Sequence, residues 1–523
     1  MNEFDYIIVG AGTAGCVLAN RLSSDPSISV LLLEAGGTDR ANAVRIPAAF
    51  ATNFRTGRDW AFKTEPQSHL GNRGLFHPRG KVLGGSSSIN AMVYMRGHPH
   101  DFDNWAAQGC TGWSYRDILP YFKRMERESR FDSNYHGRDG PIAVGPLREC
   151  NPLATAFVEA GRKAGFDHRD DFNGDTQEGI GFHTVFQRGG ERESAATAYL
   201  NPARGRKNLH VETNAFVQSL SFNDHRASGV RYRQGDRSVE VRTRREVILS
   251  AGAIQSPQIL MLSGIGPAAE LIRHGIPIVH DSPHVGRGLQ DHLLAPVAFQ
   301  SQKPLGLAPG LISLLRWMFF HSGPLTSNIA EAGLICRTQR DLNAPNLQIL
   351  FAPVYYLHHG FTKVEGHGFT LAPVLLTPRS RGTITLRSND PSVPPRIDPN
   401  YLADEADRKT MLEGIRIARR IAATQPLAGH AAAERVPGTA KQTDEELLGV
   451  IAAEAETCYH PAGTCRMGTD SSAVVDPELR VKGVSGLRVV DASIMPTIVR
   501  GNTAASTIMI AEKAADLIAG RIV

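Results

Sequence analysis

The sequence predicts an α/β fold on three observations. An apolar run, Tyr6–Val9, leads through a glycine-rich turn into a helix-compatible stretch, Cys16–Leu22. A second apolar run, Val30–Leu33, ends in the carboxylate of Glu34. The strand-then-helix order returns far along the chain, at Glu246–Ser250 before a helix around Gln258–Leu262, and at Leu487–Asp491 before an amphipathic helix over Thr503–Ala519. Short, unbroken apolar runs of this kind mark strands covered on both faces of a parallel sheet.

The first turn reads Gly10-Ala11-Gly12-Thr13-Ala14-Gly15. Gly10 permits the tight turn, Gly12 lets a pyrophosphate approach the backbone, and Gly15 lets the helix pack close on the strand. Thr13 and Ala14 complete the turn on the phosphate side, and the N-terminus of the helix that follows faces the phosphate charge. Glu34 follows Gly15 by nineteen residues, where a carboxylate can accept hydrogen bonds from both ribose hydroxyls and disfavours a 2′-phosphate. Together these residues predict a dinucleotide site without choosing between NAD and FAD. Residues 78–97, PRGKVLGGSSSINAMVYMRG, favour the bulkier of the two. Gly84, Gly85 and Ser86 offer backbone N–H groups and a hydroxyl to a second part of a cofactor, and Asn90 adds an amide.

The remaining composition excludes more than it selects. Of 523 residues 41% are hydrophobic and 21% charged, a globular mixture. A net charge of +5, from 57 basic and 52 acidic residues scattered along the chain, does not imply nucleic acid. Six cysteines show neither disulfide nor zinc spacing, so no metal is expected, and reduced thiols in a cytoplasmic setting are. No secretory signal is expected from the N-terminal residues. Leu311–Phe320 (LISLLRWMFF) is far shorter than the ~20 apolar residues of a spanning helix. It reads as a buried helix, a lid over a pocket, or an interfacial helix resting on the inner face of a membrane.

Four features resemble the glucose–methanol–choline (GMC) family of FAD-dependent oxidoreductases: GAGTAG with Glu34, PRGKVLGGSSSIN at 78–90, GAIQSPQILMLSGIG at 252–266, and the C-terminal pair YHPAGTCRMG and VVDASIMPTIVRGNT. Within the family the chain is most similar to bacterial dehydrogenases of medium-chain primary alcohols. The resemblance implies a Rossmann-like FAD-binding domain from residues 1–145, 200–295 and 455–523, interleaved with an α+β substrate domain from 146–199 and 296–454. The latter would carry an antiparallel sheet with strand-like runs such as Leu347–Phe351 and Thr383–Leu386.

The same resemblance implies the chemistry. His460, in CYHPAGTCRMG, takes the alcohol's proton while hydride leaves the α-carbon for flavin N5; an imidazole, with its ordinary pKa near 6.5, suits that task. Asn502, in RGNT, completes the pair by orienting the alcohol oxygen. Asp491 and Ala492 are expected near the pyrophosphate and ribityl chain, Thr503 near the flavin pyrimidine, Val217 at the adenine, and Val93 where the chain passes the flavin, with Tyr459 packing on its ring. Ile89 stands where some relatives carry a histidine covalently joined to FAD, so non-covalent FAD is expected. Arg500 has two readings: a side chain in solvent, or one pairing a substrate carboxylate. Electrons would pass to quinone or another acceptor. A choline dehydrogenase, needing an aromatic and carboxylate cage for a trimethylammonium group with Glu331 or a nearby aromatic as candidates, and a non-catalytic flavin-binding protein are the alternatives.

Overall fold

The computed structural model describes residues 3–521 except 129, 132–133, 306–309 and 363, so the outermost residues of the expected domain ranges lie outside it. Its first sheet has seven strands. Leu209–Glu212, Val30–Leu33, Glu3–Val9, Arg237–Leu249 and Leu487–Val489 run parallel, with Val9 opposite both Leu33 and Leu249, and Leu249 opposite Val489. Ile7, Ile8, Leu31, Leu32, Val247 and Ile248 are at most 2% exposed, the double-sided burial that unbroken apolar runs demand. The register brings Gly10, Glu34, Ser250 and Asp491 to one edge, at the carboxyl ends of the strands. An antiparallel hairpin, Ala215–Asn223 and Arg226–Gln234, extends the sheet from Arg237–Leu249.

The first helix spans Thr13–Leu22, beginning three residues before the expected stretch because Gly12 already serves as its N-cap. A Cβ on Gly15 would stand 1.9 Å from the Gly10 carbonyl oxygen, so only glycine lets this helix lie on the strand. The final helix, Ala504–Ala519, differs from the amphipathic expectation. Ile508, Met509, Ile510 and Ala511 are successive buried residues, and Glu512 on the same helix is also wholly buried. Its charge is met by Arg21, Arg124 and the Tyr199 hydroxyl, which converge on it from three other elements. The helix is therefore an internal strut.

The second sheet is antiparallel and has eight strands. Its main path is Ala431–Val436, Val297–Ser301, Gly368–Leu375, Leu347–Ala352, Ala332–Cys336 and Gly179–Phe182. Along Leu347–Ala352 the side chains alternate: Leu347, Ile349 and Phe351 pack under the helices Pro152–Lys163 and Glu405–Ala422, while Leu350 and Ala352 face a cavity. Thr383–Leu386 departs from expectation. The strand there, Gly382–Thr385, joins Arg287–Leu289 and Arg396–Asp398 in a separate sheet, and Ile384 and Leu386 belong to the core of the parallel sheet. Alternation specifies a strand but not which sheet it joins.

Leu311–Phe320 forms a helix, and the buried reading of it fails. Trp317 alone goes inward, against Ile46 and Leu325, while Leu311, Ile312, Phe319 and Phe320 are 69–82% exposed. Among the described residues no helix is long and apolar enough to cross a membrane.

Candidate active site

The carboxyl edge of the parallel sheet and the inner face of the antiparallel sheet enclose one cavity. Gly10, Gly12, Thr13, Ala14, Glu34, Gly85, Ser86, Asn90, Val93, Val217, His460, Asp491, Ala492, Asn502 and Thr503 all line it. Gly15 and Gly84, also expected at the site, do not. Gly15 is in the first turn of the helix, packed on Gly10, and Gly84 donates its N–H to the Ala11 carbonyl at 2.8 Å, fixing one loop on the other. A Cβ on Gly85 would stand 2.6 Å from the Gly12 Cα, so the two glycine-rich loops touch backbone to backbone.

Glu34 marks one end. Its carboxylate accepts the Gly36 N–H at 2.8 Å and the Ala11 N–H at 3.0 Å. Burial pushes its pKa up to about 7 against the pull of those two bonds. Trp60 and Phe216, with ring centroids 6.1 Å apart, complete an aromatic wall beside it that the sequence did not signal. Asp491 accepts from Ser256 Oγ at 2.6 Å and from the Gly252 N–H at 2.9 Å, bracing the start of the helix Gly252–Leu262.

His460 marks the other end. The chain carrying it pairs with residues 290–294, and the His460 N–H donates to Asp291 Oδ1 at 2.7 Å. Asp291 also accepts from Thr457 and Tyr401 hydroxyls at 2.5 Å each and approaches His77 Nε2 at 3.2 Å. Burial opposes its ionisation, but these donors outweigh it and hold the carboxyl well below the usual range. His460 Nε2 stands 3.3 Å from Asn502 Nδ2, while Asn502 Oδ1 is buried with no partner in the chain. Burial, with His292 alongside, holds His460 well below the ordinary imidazole pKa and hence neutral.

Around this pair the walls are apolar and aromatic: Phe50, Phe54, Ile89, Leu294, Tyr356 and Tyr459. The Tyr459 hydroxyl is 2.8 Å from that of Tyr356 and 2.7 Å from His359 Nδ1. Arg500 is in neither place considered for it. It forms an ion pair with Asp101 and donates from Nε to the Pro345 carbonyl at 2.7 Å, outside the cavity lining. The Glu331 carboxylate accepts from Ser327 Oγ and the Asn151 N–H, also outside the lining. His292 and Asp291, a polar pair just before the apolar stretch Leu293–Val297, were missed; the only sequence signal is that polar residues leading into an apolar strand are often buried and bonded.

The glycine-rich loops, the Glu34 carboxylate held beside them and the single cavity lined by both Glu34 and His460 fit a bound dinucleotide. Fold and site thus define a dinucleotide-dependent oxidoreductase. The GMC oxidoreductase family model matches residues 4–294 and 378–511. An alcohol dehydrogenase [acceptor] of Pseudomonas putida is 49% identical over 99% of this chain and 96% of its own length. An oxygen-dependent choline dehydrogenase of Ectopseudomonas mendocina is 47% identical over 99% and 94%. Among solved structures, pyridoxine 4-oxidase from Mesorbium loti superposes with a TM-score of 0.92 at 33% identity over 99% and 100%. A formate oxidase of Aspergillus oryzae studied for its FAD modification gives 0.93 at 28% over 99% and 98%. The chain belongs to the GMC oxidoreductase family and is an FAD-dependent oxidoreductase.

Proposed function

We propose that the protein oxidises a primary alcohol with an apolar chain to its aldehyde, passing electrons to quinone or another acceptor. One observation carries the reading: the neutral His460 and the half-unpartnered Asn502 amide face each other at 3.3 Å in a cavity whose nearby walls are apolar. His460 Nε2 takes the hydroxyl proton, so that an O–H bond breaks and an N–H bond forms. Asn502 holds the alcohol oxygen and stabilises its growing negative charge. The aromatic walls exclude water and accept the alkyl chain. Bound FAD supplies the hydride acceptor.

For the cofactor we assign Gly10, Gly12, Thr13, Ala14, Gly85 and Ser86 to the phosphates, Glu34 to the ribose, Val217 to adenine, and Asn90, Val93, Asp491, Ala492 and Thr503 to the flavin half. Gly15 and Gly84 support these loops. We infer non-covalent binding, because Ile89 at the cavity wall offers only hydrocarbon. We keep the domain division proposed from the sequence, supported by the two sheets; Leu293–Leu294 and Glu456–Thr457, at the margins of the FAD-binding ranges, pair into the antiparallel sheet. We further propose that Leu311–Phe320 rests on a lipid surface on the cytoplasmic side; the helix's exposed apolar residues and the six free cysteines elsewhere in the chain fit that setting.

Choline is the second reading, favoured by the choline dehydrogenase relatives and by the aromatic walls. Against it, the carboxylates among the described residues of the cavity lining are Glu34 and Asp491, both assigned to the cofactor, and Glu331 is engaged elsewhere. The test is anaerobic bleaching of the flavin by octanol, benzyl alcohol, choline and a hydroxy acid. Rapid bleaching by octanol is expected. Bleaching by choline alone would move the assignment, and no bleaching by any of them would remove the substrate class.

A further inference from the structure

The polar groups facing His460 are His292, Asp291, His77, Arg79 and Asn502. His292 occupies the imidazole's second nitrogen: the two Nδ1 atoms are 3.0 Å apart, with rings crossed at 87°. On its far side His292 Nε2 lies 3.0 Å from the Leu376 carbonyl oxygen. A carbonyl can only accept, so the hydrogen of neutral His292 is on Nε2 and its Nδ1 is bare. That bare nitrogen can only accept in turn. His460 therefore carries its hydrogen on Nδ1, leaving the Nε2 lone pair toward Asn502 and the cavity. His292 is wholly buried and outside the cavity lining, so it does not touch substrate.

The main chain keeps the pair in place. The Cys458 N–H donates to the His292 carbonyl at 2.8 Å, and the His460 N–H to Asp291, one residue before His292. We infer that His292 is a positioning residue that fixes His460 in its Nδ1–H tautomer and stabilises the imidazolium formed when His460 takes the alcohol's proton. The inference rests on the reading of His460 as base. In that step the alcohol O–H breaks and an Nε2–H forms, while the Nδ1–H stays on His460 and its bond to His292 becomes charge-assisted. No proton leaves the pair. His292 itself stays an acceptor, since burial lowers its pKa to about 4.

The test compares His292→Leu with His292→Asn in the holoenzyme. Leucine removes the acceptor, whereas the asparagine amide oxygen can accept near where Nδ1 stood. His292→Leu is expected to slow anaerobic flavin reduction by about 10²-fold, the low end of what loss of a working general base costs, with substrate affinity little changed. His292→Asn is expected to recover most of that loss. A leucine variant as fast as wild type, or an asparagine variant as slow as the leucine one, overturns the inference. Where the leucine variant does not hold its fold and FAD, ¹⁵N-histidine NMR of the wild-type holoenzyme decides, its His460 signals identified by their loss in His460→Ala. A proton on Nδ1 and a bare Nε2 are expected; a proton on Nε2 overturns the inference. If His460→Ala itself reduces flavin at the wild-type rate, the reading of His460 as base fails. If only that variant is slow and His292→Leu is not, the role of His292 alone fails.

Discussion

At the scale of single residues, the two ends of the cavity make separable predictions. His460→Ala removes the proton acceptor but no residue assigned to the phosphates, so reduction by alcohol should fall by about 10³-fold with FAD retained. Rapid-mixing absorbance and flavin content measure both, and release of FAD would count against the assignment. The sign of the pH effect follows from the depressed pKa of His460. A base works when deprotonated, and its proton is bound only below a value lying under the ordinary 6.5. Reduction should therefore stay flat from about pH 6.5 to 8 and decline only in more acidic solution. An acid limb centred at or above the ordinary imidazole value would sink this. Glu34→Ala, at the other end, should weaken FAD retention, measured by flavin loss on gel filtration; undiminished retention removes the ribose contact. The place of Glu34 in the cavity was legible because it rests on a local spacing after Gly15. His292 was not, because it meets His460 across 168 residues of chain.

Elements raise different questions, because a whole strand or helix must agree with its neighbours. Gly15→Ala drives a methyl group into the Gly10 carbonyl and should cost about 1–3 kcal/mol by overpacking, seen as a lower thermal midpoint and poorer FAD retention. The parallel strands were readable because burial on both faces leaves unbroken apolar runs. The helix Leu311–Phe320 was read less well. Its composition resembles a core helix, yet only Trp317 reaches the interior, while Arg316 is tied to Glu149 at the surface. If this face meets lipid, the double variant Phe319→Asp, Phe320→Asp should lose sedimentation with anionic vesicles while keeping flavin reduction. Wild-type protein that leaves the vesicles alone would end that proposal.

For the molecule as a whole, the issue is how distant parts of the chain are locked together. Glu512, fully buried, accepts from Arg21, Arg124 and Tyr199, joining the last helix to elements from the first 200 residues. Glu512→Ala strands Arg21, about one-third exposed, and the Tyr199 hydroxyl, while Arg124 keeps Asp516, so the loss should be about 2–4 kcal/mol, below that of a fully buried pair. Denaturant unfolding with flavin fluorescence measures it; an unchanged midpoint would mean the carboxylate is dispensable. The sequence by itself determined the strand, turn and helix that open the parallel sheet and the place of Glu34 at its carboxyl edge, since all are neighbours within 34 residues. It also pointed to His460 and Asn502 through short C-terminal patterns. Only the tertiary structure decided that Arg500 spends its charge on Asp101, 399 residues away, that Glu331 is turned from the cavity, and that His292 backs His460. The reason is physical: a buried charge or imidazole must find a partner, and which one it finds is set by the packing of whole sheets rather than by its neighbours in the chain.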